Sequence, residues 1–152
     1  MTASEDPEAI RAALDRIDPA VTAQCVREVT GDLIAQFAEV SGDHHRLHLD
    51  AEYAAATPVG RRIAHGAMLV GFMSNASTIL SETLERQIGR ANVSLGYDRL
   101  RFIAPVFEGD TITTRIRIAG IDRERLRVIC EQDCLNQAGE TVAIAQHLMR
   151  FV

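Results

Sequence analysis

Positive charge is in short supply. The 152 residues carry 16 Lys and Arg against 21 Asp and Glu, a net charge of −5. Nucleic acids and anionic membranes reward a basic surface, so neither is expected as the main partner. A local basic patch remains compatible with a phosphorylated cofactor. Cysteine is scarce too: Cys25, Cys130 and Cys134 make an odd count without framework spacing. That excludes a disulfide scaffold and fits a reducing, cytoplasmic compartment. Cys130 and Cys134 fall on one predicted strand, about 13 Å apart, beyond disulfide reach. All three read as buried small apolar residues.

A membrane-length apolar run is also missing. The longest uncharged stretch, Gly66 to Ser81, contains Ser74, Asn75, Ser77 and Thr78, which suits a buried helix better than a membrane span. Near the start, Glu5, Asp6 and Glu8 stand where a secretory signal needs positive charge. Neither an internal repeat nor a low-complexity linker is visible. What remains is ordinary globular composition, 47% hydrophobic and 24% charged, at a length suited to one core.

Asp6-Pro7-Glu8 opens a helix, with an N-cap acid followed by proline at the first helical position. Ile10, Ala13, Leu14 and Ile17 give it one apolar stripe, and Asp18-Pro19 ends it. Residues 1–24 therefore read as an accessory helical segment ahead of a main domain over 25–152. Cys25 to Val29 is a short strand, and Thr30 caps a second helix on which Leu33, Ile34, Phe37 and Val40 face one way. Ser41-Gly42 closes that helix. Ala51 to Ala56 is a turn or two of helix. From Gly66 to about Leu84 runs the longest helix, apolar nearly all round and expected to be buried on most sides. After Gly89 come four strands: 92–102, 111–119, one beginning at Leu126, and 141–152, the last apolar on both faces. The order predicts an α+β layer fold, one long central helix with an antiparallel meander around it.

Gly42 to Asp50, GDHHRLHLD, concentrates three of the five histidines. Three readings fit. Asp43, His44, His45, His48 and Asp50 are all metal-ligand types, but no second cluster completes a shell and the spacing matches no zinc pattern. A solvated loop is the bland reading. The third is an acid–base pair, Asp43 with His48, sharing one water. His65-Gly66 opens the long helix, where unpaired N–H groups and the helix dipole suit an oxyanion, and where a tight loop–helix junction would look the same.

Three blocks carry a resemblance. Ser41-Gly42-Asp43-x-x-x-Leu47-His48-Leu49-Asp50 is followed by Ile63-Ala64-His65-Gly66-Ala67-Met68-Leu69, then by Phe102-x-x-Pro105-Val106-Phe107-x-Gly109-Asp110-Thr111. In order and spacing they resemble the MaoC-like dehydratase, or (R)-specific enoyl-CoA hydratase, family over roughly residues 25–152. The resemblance implies a hot-dog fold, a long central helix wrapped by an antiparallel β-sheet, usually dimeric. It implies catalysis by Asp43 and His48, an oxyanion hole at the Gly66 N–H, and a site-ordering serine at Ser74. Two departures stand out. His45-Arg46 replaces the family's Asn-Pro, and Arg62 replaces a usual proline. His45, Arg46, Arg62 and His65 are therefore candidate substrate-binding residues. Arg61 and Arg62 suit cofactor phosphates or are plain solvated charges, the latter favoured. Arg99 and Arg101 line a thioester groove or decorate a strand. His147 reads as a satisfied strand histidine and His44 as loop surface.

The resulting expectation is a lyase, a hydratase or dehydratase adding water reversibly, in the syn sense, to a 2-enoyl thioester on CoA or a carrier protein. It needs no metal and no other cofactor. Alternatives are a hot-dog acyl-CoA thioesterase and a non-catalytic thioester-binding subunit. An exposed sheet edge predicts a homodimer with the site near its interface.

Overall fold

The computed structural model describes residues 6–152. Its elements in chain order are α1 (Pro7–Leu14), β1 (Thr22–Glu28), α2 (Gly31–Ser41), α3 (Arg46–Leu49), α4 (Ala51–Ala55), α5 (Gly66–Ile88), β2 (Asn92–Phe102), β3 (Thr111–Asp122), β4 (Arg127–Leu135) and β5 (Thr141–Phe151). The caps read from sequence are in place. Asp6 accepts from the Glu8 N–H and Thr30 from the Leu33 N–H. Gly42 ends α2 in the left-handed region, at φ 76.

All strand pairs are antiparallel, in the order β1-β3-β4-β5-β2. The meander holds for β3-β4-β5, but β2 pairs with β5 and not with β3. Residues 103–110 carry the chain across the end of the sheet, a step of about three strand spacings, or roughly 14 Å. Alternation marks a strand without naming its neighbour, so this crossover is invisible in the sequence.

One face of the sheet is dry. Ile112, Thr114, Ile116 and Ile118 of β3, Val128, Cys130, Gln132 and Cys134 of β4, and Ala143, Ala145, His147, Met149 and Phe151 of β5 are buried. The α5 stripe of Leu69, Phe72, Met73, Ala76, Leu80 and Leu84 is buried as well. Each such large aliphatic contributes about 1.5–3 kcal/mol. The far half of α5 shares a cluster with Ile10, Ala13, Leu14 and Ile17, so the α1 stripe closes that end. The near half packs with Val29, Ile34, Ala64 and Val106.

Three expectations need correction. The sheet covers one side of α5 only: Gly71, Ser74, Asn75, Thr78 and Ile79 are exposed, and Val70 is half-buried. Val40 is 83% exposed, and Ala38, one turn from Ile34, takes the inward place. Cys25 is half-buried, its Sγ 3.5 Å from the Phe72 carbonyl oxygen. Among the described residues no helix is long and apolar enough to cross a membrane. A concavity of about 810 Å³ lies on the outer face of the sheet and touches none of Asp43, His48 or Gly66. Arg115–Asp133 and Arg117–Glu131 ion pairs cross it.

A polar seam crosses the core. Ser94 Oγ lies 2.8 Å from His147 Nε2, and Ser77 Oγ lies 2.9 Å from Nδ1. Ser77 donates to the Met73 carbonyl, and Gln132 Nε2 donates to that carbonyl and to Ser77 Oγ, at 2.8 and 2.9 Å. With the Ser77 proton spent on Met73, its oxygen accepts from the Nδ1–H of His147, and Nε2 accepts from Ser94. The Tyr97 ring stacks on the imidazole at 4.4 Å. Burial pushes His147 down to about 4, so it stays neutral. This is the satisfied strand histidine that the sequence favours.

That shift ties stability to pH. Between about 6.5, the ordinary histidine value, and 4 the unfolded chain holds a proton on His147 that the folded chain refuses. The contribution is full above that window and is lost as pH falls through it. It amounts to something on the order of 3 kcal/mol. Denaturant unfolding at pH 7 and pH 4.5 should show wild-type stability dropping across this range. His147→Gln should be weaker at pH 7 but shallower in slope. An unchanged slope in the variant would assign the acid sensitivity elsewhere.

Candidate active site

The site begins where α2 stops. Beyond Gly42, Ser41 Oγ accepts from the Asp43 N–H at 3.2 Å, and Asp43 Oδ1 accepts from the His45 N–H at 3.2 Å. His45 then serves as N-cap of α3, its Nδ1 accepting from the Leu47 N–H at 3.2 Å. This explains the family departure. Asn-Pro would place an asparagine at the N-cap and proline at the first helical position, the residues each place favours. Here an imidazole nitrogen replaces the asparagine oxygen. Arg46, at the first helical position, pairs with Asp50 at 2.8 Å and lies 4.4 Å over the Tyr53 ring. The turn survives the substitution, and His45 and Arg46 are both engaged in it.

Two histidines then anchor on backbone carbonyls. His48 Nδ1 lies 2.8 Å from the Ile63 oxygen, and His65 Nε2 lies 2.9 Å from the Asp43 oxygen. A carbonyl only accepts, so each nitrogen carries the proton. The two rings stack with centroids 3.7 Å apart and 26° between planes, and Phe37 closes on His65 at 5.0 Å. The loop before α5 is itself pinned, Ala64 N–H to Val106 O at 2.7 Å and Ile63 N–H to Leu47 O at 3.3 Å. In the third block Asp110 Oδ2 accepts from the Phe107 N–H at 2.8 Å, and its Oδ1 from Gln137 at 2.9 Å. That block thereby shapes the wall on which Ala64 and Ile63 rest.

Asp43 is exposed, His48 half-buried and His65 buried, yet each has a donor atom within 4.8 Å of the others. With its Nδ1 proton on Ile63, neutral His48 has its lone pair on Nε2. Burial holds its pKa below the ordinary value; the Ile63 carbonyl and Asp43 oppose this, and His65 and His45 reinforce it. At neutral pH His48 is thus a base awaiting a proton. Two of the four imidazole nitrogens, His48 Nδ1 and His65 Nε2, are engaged by main-chain carbonyls, and His65 Nδ1 is buried.

Gly66 opens α5, behind His65 as an N-cap that makes no side-chain hydrogen bond to the helix. Its N–H belongs to the first turn, which has no intrahelical partner. A Cβ here would come 2.8 Å from the Phe102 ring. Glycine is what lets Phe102 lie against the helix start. Phe102 is 50% exposed, a site neighbour that the sequence marks only as the first letter of the third block. Ser74 is exposed on α5, eight residues and about 12 Å along the axis from Gly66. Arg62 is ion-paired with Glu108, and Arg61 lies 3.7 Å over the Phe107 ring. Arg101 donates to the Leu100 carbonyl, and Arg99 lines the outer concavity. His44, bonded to Glu39 at 2.9 Å, is loop surface.

A long helix laid on an antiparallel sheet, with its N-terminus beside an Asp–His pair, makes this a hot-dog-fold domain. The chain belongs to the MaoC like domain family, which matches residues 13–136. It is similar to the 3-hydroxybutyryl-CoA dehydratase of Methylorubrum extorquens, 34% identical over 106 residues, covering 68% of this chain and 63% of that protein's length. It is similar to the (R)-specific enoyl-CoA hydratase of Aeromonas caviae, 31% identical, covering 72% of this chain and 81% of the relative. Among solved structures, unliganded R-hydratase PhaJ1 from Pseudomonas aeruginosa superposes with a TM-score of 0.77 at 28% identity, covering 91% of this chain and 84% of that one.

The Gly66–Phe102 contact is directly testable. Gly66→Ala should lower stability by about 1–3 kcal/mol, the usual effect of overpacking. Phe102→Ala in the same chain should recover most of that difference. Equal losses in both backgrounds, read by denaturant unfolding, would show that the ring is not what the added methyl group meets.

Proposed function

We propose that the protein is a hydratase or dehydratase of acyl thioesters, adding water reversibly across the 2,3 double bond of an enoyl chain held on CoA or a carrier protein. The observation that carries this is the His48 imidazole, its Nδ1 spent on the Ile63 carbonyl, and the Asp43 carboxylate standing together beside the N-terminus of α5. The thioester oxygen sits on the Gly66 N–H, where the helix dipole favours the negative charge of the enolate. Water lies between Asp43 and His48. His48 takes a proton from it as its oxygen bonds to the β-carbon, and the double-bond electrons move onto the thioester. The Asp43–His48 pair then returns one proton to the α-carbon on the same face. Oxygen, protons and electrons balance with substrate and water alone.

The names of the relatives support the same class. The assembly we favour is a homodimer. Val93, Leu95, Phe102 and Ile103, on and just beyond the edge strand β2, are 47 to 54% exposed, an apolar edge that a second copy would cover. Phe102 is also the residue against Gly66, so this edge and the site adjoin. A cytoplasmic location belongs to the same proposal and fits three free thiols.

The test is loss of enoyl-thioester absorbance with crotonyl-CoA, then with longer and branched enoyl-CoAs. Asp43→Asn and His48→Ala should each lose at least about 100-fold, the usual worth of a positioned acid or base. Release of free CoA thiol instead would make the protein a thioesterase. Wild-type rates in both variants would remove the assigned pair. Sedimentation at micromolar concentration should give a dimer, and a monomer would refute the assembly.

A further inference from the structure

One imidazole at the site has no step in the reaction. His65 is 2% exposed, and its Nδ1 is buried without a hydrogen-bond partner. A group sealed from solvent does not meet substrate. Its contacts go to the two groups that do. Nε2–H holds the main-chain carbonyl of Asp43 at 2.9 Å, and the ring lies flat on His48 at 3.7 Å.

The tautomer follows from geometry. Because the Asp43 carbonyl accepts from Nε2, the neutral ring is the Nε2–H tautomer, with its lone pair on the buried Nδ1. From there it does two things. It fixes the Asp43 loop to the residue immediately before Gly66, so acid and oxyanion donor share one backbone frame. It also covers one face of the His48 ring, shutting water from that face.

We propose that His65 is a positioning residue acting through Asp43 and His48, not a substrate contact. This rests on the acid–base reading of the site given above. The groups facing His48 are Asp43 from the loop after α2, His45 from the start of α3, and His65 from the segment before α5. Of these only His65 both touches the ring face and holds the Asp43 backbone.

Two substitutions separate the two contacts. His65→Gln keeps an N–H for the Asp43 carbonyl and removes the ring. His65→Phe keeps the ring and removes the bond. In His65→Phe, kcat should fall about 100-fold, the effect of misplacing a catalytic group by about an ångström. KM should hardly move, because no substrate contact is lost. In His65→Gln, most of kcat should survive, while the acidic limb of the kcat/KM profile moves to higher pH as the uncovered His48 takes a proton more readily. A KM rise at unchanged kcat, or a wild-type rate and profile in both variants, would overturn the proposal.

Nitrogen-15 NMR of the wild-type imidazoles needs no variant to fold. It should show a proton on Nε2 of His65, and His48 protonated on Nδ1 alone, at pH 7. An Nδ1–H tautomer of His65 would overturn the proposal. This readout also separates the two layers of inference. If wild type hydrates no enoyl-CoA, the proposed function fails while the tautomers still judge His65.

Discussion

A helix that serves a reaction must be dry along its side and open at its end. α5 meets both demands through one stripe. Met68, Leu69, Phe72 and Met73 are buried against the sheet, which fixes the axis, while the first turn is left without a side-chain cap. Everything near Gly66 is arranged around that exposed positive end. Ile63 and Ala64 are tied to Leu47 and Val106, His65 to Asp43, and Phe102 fills the space that a Cβ would need. If the stripe were weakened, all of these would lose their common reference.

The chemistry at the corner is written mostly in main-chain carbonyls. Those of Ile63 and Asp43 each take a proton from a histidine, and in doing so choose its tautomer. His48 is left with its lone pair on Nε2. A backbone carbonyl carries no net charge, so it orients the ring while raising its basicity less than a carboxylate would, and burial keeps the net shift downward. The imidazole is thereby free to accept a proton near neutral pH.

Local features were legible in the sequence because local rules write them. Asp6, Thr30 and Gly42 cap helices as their side chains dictate, and Ile112, Ile116 and Ile118 face inward as period two demands. The structure also brings Asp43, His48, His65 and Gly66 to one corner. What escaped was set by partners distant in the chain. β2 lies beside β5 because a loop crosses the sheet, and the outer face of α5 is open because one small sheet cannot surround it. Val40 and Cys25 misled for the same reason: residue type says what burial would suit, not which side the core lies on. Phe102 could have been suspected as a neighbour of Gly66 only by knowing that the end of β2 meets the start of α5. His45-Arg46, which stand where the family has Asn-Pro, keep the cap of α3 with an imidazole nitrogen in place of an amide oxygen.

The polar seam in the core has a mechanical meaning. Apolar surfaces tolerate sliding, since one methyl group replaces another with little penalty. Hydrogen bonds do not. The Met73 carbonyl is gripped by Ser77 from its own helix and by Gln132 from β4, and Ser77 is tied through His147 to β5 and onward to Ser94 on β2. These bonds work as a detent, locking α5 at a single axial setting against three strands. A slip of one residue would move the helix by about 1.5 Å, enough to carry the Gly66 N–H off its mark. The seam lies about two turns from the reacting atoms, and it sets the zero of the scale on which they are placed.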